Sequence, residues 1–478
     1  FDRGLMALYP DEDETIEGVG RALRAGRTTC LQVLEKCFDR IEEWEPRVKA
    51  WVRVDRAGAI EQARLRDAEL AAGRCRGPLH GIPIGVKDII DVEGLPTAAG
   101  FGPWRERIAE VDAPIVGALR KAGAVIMGKT VTTQFAWIDP PPTRNPWALD
   151  RTPGGSSSGS AAAVAVGMCL GALGTQTGGS IIRPASFCGV CGFKPTYGQL
   201  AGVGIVPFAP SLDHPGPIAR SARGLKLLNH EYTEHFQLDW GDIPDPPPDA
   251  RTNYTVEEVE SRMAVLLPTR ESPPRLRRLR GFYDRRATPI AREHVDRAVA
   301  ALSAAGAEVI DLPDDVIDFE TILRNHRVLM AAEAAAEHEA RVAAHRDEYS
   351  PRILELVEEG MAIPVTEYIR CSRLRGWYEE ILLLRKLGLD RSVDALVMPA
   401  TIGPAPDLST TGDPALNSPW SYLGWPAVSL PIGLSPEGLP MGLQLVGIPE
   451  FSDDEILSTA SWCEDVIRRA FHASARSD

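Results

Sequence analysis

Apolar positions near the start of the chain recur at helical spacing. Leu31, Val33, Leu34, Cys37, Phe38 and Ile41 fall on one face, which predicts helices over 15–27 and 29–44 with a single buried stripe. Trp51 to Asp55 alternates apolar and polar residues, the period of a short strand. Residues 57–72 are rich in Ala, Arg, Glu and Leu, strong helix formers, and Gly73 ends the run. The stretch 82–90 is apolar enough for a buried strand, yet it carries Lys87. A lysine in such a setting costs free energy unless it is paired or neutral. Its tip therefore serves chemistry, pairs with Asp88 or another carboxylate, or reaches solvent. A helix over 113–121 and a strand over 124–127 follow.

Further along, an Ala-rich apolar segment, 161–173, lies between two loops of small residues. The polar 231–262 stretch, with Pro244 and Pro246 to Pro248, reads as an exposed loop. Residues 264–280 are basic and contain prolines. The pattern then predicts a helix over 289–305, a strand over 307–312, and a largely helical block over 317–389 broken near Ser350-Pro351 and Pro364. That block covers a pocket or forms an oligomer contact, and the periodicity does not choose. Strands at 395–399, 427–430 and 443–446 and a closing helix at 452–470 complete the chain. No internal repeat is visible.

Composition narrows the classes. A length of 478 residues allows two or three domains or one large α/β domain, and 44% hydrophobic residues can build a substantial core. A formal net charge of −14 argues against a nucleic-acid-binding surface. No apolar run has the length and composition of a membrane span. Charges at Asp2, Arg3 and 11–14 leave no secretory core in the first residues. Eight scattered cysteines in a large chain suit reduced thiols in a cytoplasm.

Candidate chemistry concentrates in the two small-residue loops, Gly154-Gly155-Ser156-Ser157-Ser158-Gly159-Ser160 and Thr177-Gly178-Gly179-Ser180. Glycines let a backbone approach a ligand closely. Serines among them can sit with several N–H groups aimed at one point, which is how a nucleophile and an oxyanion hole are built. Free Gly/Ser linkers would not enclose a continuous apolar segment. Three other patterns carry less. Gly123 to Thr130 fits the phosphate-loop expression, but residues 124–127 are an apolar β-like run, where a cradle needs a flexible loop. Gly155 to Gly159 fits G-x-S-x-G around Ser157, but turn-rich sequence precedes it where a nucleophile elbow needs a strand. Cys188 and Cys191 lack a second pair at zinc spacing and read as small buried residues. The nine histidines form no H-x-x-x-H pair, so no metal ligand set is visible and no cofactor is expected.

Pro153 to Ser160, Gly178 to Ile181 and Phe187 to Thr196 together resemble the amidase signature family. His80 to Asp88 is similar to that family's lysine motif, and Ser211 to Pro217, Gly424 to Gly433 and Gly438 to Gly447 match further blocks. The resemblance runs from about Thr15 to Ile467 and is weakest over about 225–390. It implies one large α/β/α sandwich with a central mixed, twisted β-sheet covered by helices on both faces. Residues 1–70 are then an N-terminal helical segment packed on the core, 71–225 the signature core, 226–390 a variable helical region over the pocket, and 391–478 the strands and helix that complete the same domain.

By the same resemblance Ser180 is the acylated serine, Ser156 the bridging serine after a cis peptide bond, and Lys87 the base. Backbone N–H groups of Thr177, Gly178, Gly179 and Ser180 form the oxyanion hole. The implied activity is hydrolysis of a small carboxamide, anilide or carbamate, with esters as a side activity. The alternative is the glutaminase subunit of a tRNA-dependent amidotransferase, and a binding-only protein is a third class. The expected partner is a small-molecule amide, carbamate or ester, without nucleic acid or membrane, and a homodimer is compatible with the helical block.

Trp137, Pro140 to Pro142, Trp147, Trp420 and Tyr422 are candidates for an apolar pocket, with Ser157 beside them; ordinary packing is the competing role. Ser157 is expected to hydrogen-bond within its loop, and Ser158 and Ser160 to cap the Ala-rich helix. Two linked departures from the family pattern stand out. Gln176 replaces the usual Asp, and Ile182 replaces the usual Arg, with Arg183 beside it. Neutral contacts are expected in place of a buried charge pair. An Arg183 with an acidic partner at the catalytic loop would count against that.

Overall fold

The computed structural model describes residues 8–200, 202–236, 254–268, 270–312, 317–378, 393–448 and 452–474. Thirteen strands are present among them: β1 (Trp51–Val54), β2 (Arg74–Cys75), β3 (Pro83–Lys87), β4 (Val125–Thr130), β5 (Gly171–Gln176), β6 (Cys191–Lys194), β7 (His214–Ala219), β8 (Tyr254–Thr255), β9 (Arg275–Leu279), β10 (Glu308–Leu312), β11 (Ala395–Pro399), β12 (Ala427–Leu434) and β13 (Pro440–Val446). Eleven form one sheet in the order β1-β4-β3-β5-β7-β6-β12-β13-β11-β9-β10, and β2 pairs with β8. The sheet is mixed. β3 runs parallel to both β4 and β5, whereas β7, β6, β12 and β13 are joined by antiparallel pairings.

Every residue of β3, β4, β5, β6, β7, β11 and β13 is buried. Successive side chains of a strand point to opposite faces, so the middle of this sheet is covered on both. Helices supply the cover. Ile182–Cys188 packs on β6, β12 and β13, and Asp453–Ser474 packs on β12 and on the helix Ala222–Phe236. Buried apolar residues from Leu8 to Ile467 join one contiguous core.

Most predicted elements recur with shifted ends. The first two helices are Ile16–Arg24 and Cys30–Val48, the second opened by a capping box between Thr29 and Gln32. The expected strand 82–90 stops at Lys87 and turns. The expected strand 124–127 instead runs on through Lys129 and Thr130, because their side chains find buried partners. The apolar segment 161–173 is not one element: Ser158–Ala165 is helix and β5 begins at Gly171.

The expected loop 231–262 is corrected at both ends. Its start belongs to the helix Ala222–Phe236 and its end to the helix Val256–Leu266, while 237–253 lies outside the described residues. Thr255 and Glu258 cap the second of these helices reciprocally, a local signal that overrides the polar composition. The helical block resolves into Phe319–His345, Pro351–Met361 and Val365–Trp377, broken where predicted; 379–389 lies outside the described residues. Among the described residues no helix is long and apolar enough to cross a membrane.

Candidate active site

β3 ends with Lys87, whose side chain is fully buried. Its Nζ lies 2.8 Å from Ser156 Oγ, 2.7 Å from Thr175 Oγ1 and 3.4 Å from the Thr175 carbonyl oxygen, all within hydrogen-bond reach. β5, which carries Thr175, lies directly beside β3. Asp88, the carboxylate next in sequence, is taken instead by Lys129 at 3.2 Å. Burial holds the Lys87 amine well below its ordinary pKa, and the Asp213 carboxylate opposes this only in part. A buried amine between two hydroxyls, its pKa lowered in this way, is equipped to shed its proton and accept one from a neighbouring hydroxyl.

The two serine loops lie against each other. Ser157 N–H donates to the Ser180 carbonyl at 3.3 Å, and the peptide bond between Gly155 and Ser156 is cis. Glycine is required at both loops by close approach. Gly154 has φ +83°, and a Cβ there would meet Pro184 Cα at 2.8 Å; a Cβ on Gly179 would meet Asn417 Oδ1 at 2.6 Å and Arg183 Nη1 at 2.9 Å. Ser156 is wholly buried, whereas Ser180 opens onto a cavity of about 350 Å³. Thr177 to Ser180 form one wall of the cavity, and Trp137, Ile138, Leu323 and Met330 supply apolar surface.

Three carbonyls in this wall are each held by a donor. Thr177 O accepts from His326 Nε2 at 2.9 Å, Gly178 O from Ser421 Oγ at 2.8 Å, and Gly179 O from the Arg183 N–H at 2.9 Å. In a trans peptide the carbonyl and the following N–H point in opposite directions. The N–H groups of Gly178, Gly179 and Ser180 are therefore aimed away from those partners, and none of them has an acceptor among the described residues. The Gln176 carbonyl faces His214 Nδ1 at 3.3 Å, which orients the Thr177 N–H in the same manner. Burial lowers the His326 imidazole to about 4, so it is neutral near pH 7. No sequence pattern singles out His326, which sits 149 residues from the carbonyl it holds.

Gln176 occupies the hub of the loop. Its Oε1 accepts from Ile181 N–H at 2.8 Å and Ile182 N–H at 3.0 Å, and its Nε2 donates to Ser421 Oγ at 3.2 Å. Arg183 does reach the catalytic loops, but through neutral oxygens: Nε donates to Thr411 O at 2.7 Å and Nη2 to Gly155 O at 2.6 Å. Among the described residues it has no ion-pair partner. Gln176 thus makes neutral contacts, while Arg183 stays a buried guanidinium on two carbonyls, with the Asp413 carboxylate acting on its charge from beyond contact.

Several pocket candidates lie elsewhere. Trp137 lines the cavity, fixed by its indole N–H on Arg352 O at 3.0 Å and by stacking on Phe208. Trp420 and Tyr422 do not; both are fully buried, Trp420 against Phe319 and Trp425, and Tyr422 with its hydroxyl on Cys371 O at 2.5 Å. Trp147 donates to Cys188 O away from the cavity.

Ser157 is likewise buried outside the cavity. Its hydroxyl spans to β5, donating to Thr175 O at 3.1 Å and accepting from Thr175 N–H at 3.2 Å, rather than bonding within its loop. Ser158 and Ser160 are not caps: Ser158 Oγ donates to Gly154 O at 2.7 Å and Ser160 Oγ to Leu173 O at 2.8 Å. In this helix, every residue of which is buried, the Ser160 hydroxyl ties across to β5 and the Ser158 hydroxyl back to its own loop. His230, Glu231 and Glu234 stand close enough to share a metal ion, but they lie on another helix and do not line the cavity. All eight cysteines are free and buried, including Cys188 and Cys191.

The mixed eleven-stranded sheet and the helices packed on it define a large α/β fold. Solved structures share it: the crystal structure of an amidase is 32% identical, covers 94% of this chain and 99% of its own, and superposes with a TM-score of 0.80. Among curated relatives, the putative amidase AmiD of Mycobacterium bovis is 33% identical over 90% of this chain and 89% of its own. A glutamyl-tRNA(Gln) amidotransferase subunit from Desulfotalea psychrophila is 30% identical over 93% and 96%. The family model described as Amidase matches residues 32–457. The chain belongs to the amidase signature family, hydrolases of C–N bonds.

Proposed function

We propose that this enzyme hydrolyses a small carboxamide, anilide or carbamate through an acyl-Ser180 intermediate, with esters as a side activity. The observation that carries this reading is the contact of 2.8 Å between Lys87 Nζ and Ser156 Oγ in a fully buried setting. Ser180 Oγ attacks the carbonyl carbon while its proton passes to Ser156 and the Ser156 proton passes to Lys87. The developing oxyanion accepts from N–H groups of the Thr177–Ser180 wall. Collapse breaks the C–N bond, and the leaving nitrogen takes the proton back from Lys87 through Ser156. Water then attacks the acyl carbonyl, its proton passing through Ser156 to Lys87, and the intermediate collapses to release the acid as Ser180 Oγ takes the proton back through Ser156. His326, Ser421 and Gln176 act as positioning residues, since they orient the peptide planes without touching the reacting atoms.

The apolar wall of Trp137, Ile138, Leu323 and Met330 favours an acyl or aryl group over a free amino acid. A panel of aliphatic amides, anilides, carbamates, p-nitrophenyl esters and free glutamine tests this. The expected result is turnover of amides or anilides that Ser180→Ala abolishes, together with labelling of Ser180 by a fluorophosphonate. Turnover of glutamine alone would favour the amidotransferase reading, and no turnover with no label would overturn the assignment.

A further inference from the structure

A second cavity, of about 460 Å³, adjoins the Ser180 loop. Ala136 and Thr177 line both cavities and form part of the wall between them. Leu200, Val203, Val206, Phe208 and Pro210 give the second one apolar sides, and Asp213 is the one charged residue of its described lining. The Asp213 carboxylate accepts from Thr177 Oγ1 at 2.5 Å and from the Phe208 and Ala209 N–H groups at 2.9 and 3.0 Å. These donors are neutral, so they orient the anion and leave its charge uncompensated. Among the described residues Asp213 forms no ion pair, and the charge that acts on it is a second carboxylate, Glu333. Burial pushes the Asp213 carboxyl up to about 6. A half-buried anion facing apolar walls is relieved by a cation that brings an apolar body with it.

We propose that the second cavity binds an organic ammonium ion with a short apolar body, held by the Asp213 carboxylate. An ionised carboxylate offers about four acceptor sites. Three are taken by the donors above, which leaves one for an N–H of the ligand. A bare metal ion fits less well, since it needs several oxygen ligands and the lining supplies a single carboxylate. The volume is that of a small-molecule site. This site needs no assumption about the bond the enzyme cleaves, although hydrolysis of an aliphatic amide releases an amine of this class.

The test is calorimetry on the wild-type protein at pH 8 with n-pentylammonium chloride and with 1-pentanol, which has the same chain and no charge. The ammonium is expected to bind about 10-fold more tightly, the worth of a hydrogen bond to a charged group. Equal binding of the two, or no binding, overturns the proposal. Asp213→Asn keeps the shape of the side chain and is expected to bring the ratio near one. A ratio that survives in the folded Asp213→Asn variant overturns it as well.

Val203→Trp fills the cavity from a position that is 61% exposed and leaves the carboxylate in place, so it does not rely on a buried variant that folds. It is expected to weaken both compounds severalfold, and unchanged binding overturns the proposal. Labelling Ser180 with a fluorophosphonate separates the two cavities. Ammonium binding that persists after labelling supports the second site, and binding that disappears assigns the amine to the Ser180 cavity and overturns it. A protein that takes no label, yet prefers the ammonium through Asp213, would sink the acyl-serine reading and keep this site.

Discussion

Two lysines on neighbouring parallel strands are both fully buried, and they differ in almost everything else. Lys129 of β4 meets Asp88 at 3.2 Å, Thr97 Oγ1 at 2.9 Å and Pro96 O at 3.1 Å. Lys87 of β3 meets only hydroxyls and a carbonyl. The strand register explains the split. Lys87 is aligned with Thr130 and Lys129 with Val86, so the two amines leave opposite faces of the sheet. Asp88 follows Lys87 by one residue and turns to the face of Lys129. The acid closest to Lys87 in sequence is thereby denied to it. Burial lowers both amines, but Asp88 pulls Lys129 back up, whereas Lys87 stays far below the ordinary lysine value. One lysine is a structural cation, and the other is held ready to be a base.

The largest effect expected from breaking this contrast is on chemistry. Lys87→Met should lower kcat/KM on the best anilide by about 10²- to 10⁴-fold, the usual worth of a general base, with the fold intact by circular dichroism. Lys129→Met should do the reverse. It should spare the chemical step of the folded fraction but cost about 3–5 kcal/mol in urea unfolding, because Asp88 is left as an uncompensated buried charge. Adding Asp88→Asn should recover part of that loss.

A pH series sharpens the comparison further. Lys87 binds its proton less readily folded than unfolded, so its burial costs more stability as pH falls from the ordinary lysine range. The stability of Lys87→Met relative to wild type should accordingly rise as pH falls from about 10.5. A difference that stays flat with pH would mean that Lys87 is charged in the fold. The smallest effect belongs to Thr175→Val, which removes one of three contacts to Lys87 Nζ. It should cost about 1 kcal/mol, read as a severalfold drop in kcat/KM with little change in KM.

The rest of the site shows where reading by sequence stops. Trp420, Tyr422 and Trp137 are alike as residues, yet only Trp137 borders the cavity. An aromatic side chain has the same reason to be buried in a core as in a pocket wall, and composition cannot separate the two. Ser157, Ser158 and Ser160 sit among glycines just as Ser156 does. Their hydroxyls are spent on backbone carbonyls because their loop and helix are wholly enclosed, not on capping or on ligand.

What the chain by itself determined was local: the order of strands and helices, glycines where two backbones must approach closely, an apolar run around one lysine, and serines in two short loops. Those features depend on neighbours within a few residues, so they are written contiguously. The tertiary structure alone decided which lysine kept a counter-ion and which carbonyls His326, Ser421 and Arg183 would hold. Each of these is a contact between distant segments, set by sheet register and by which face of an element meets the core, and no stretch of residues carries that information alone.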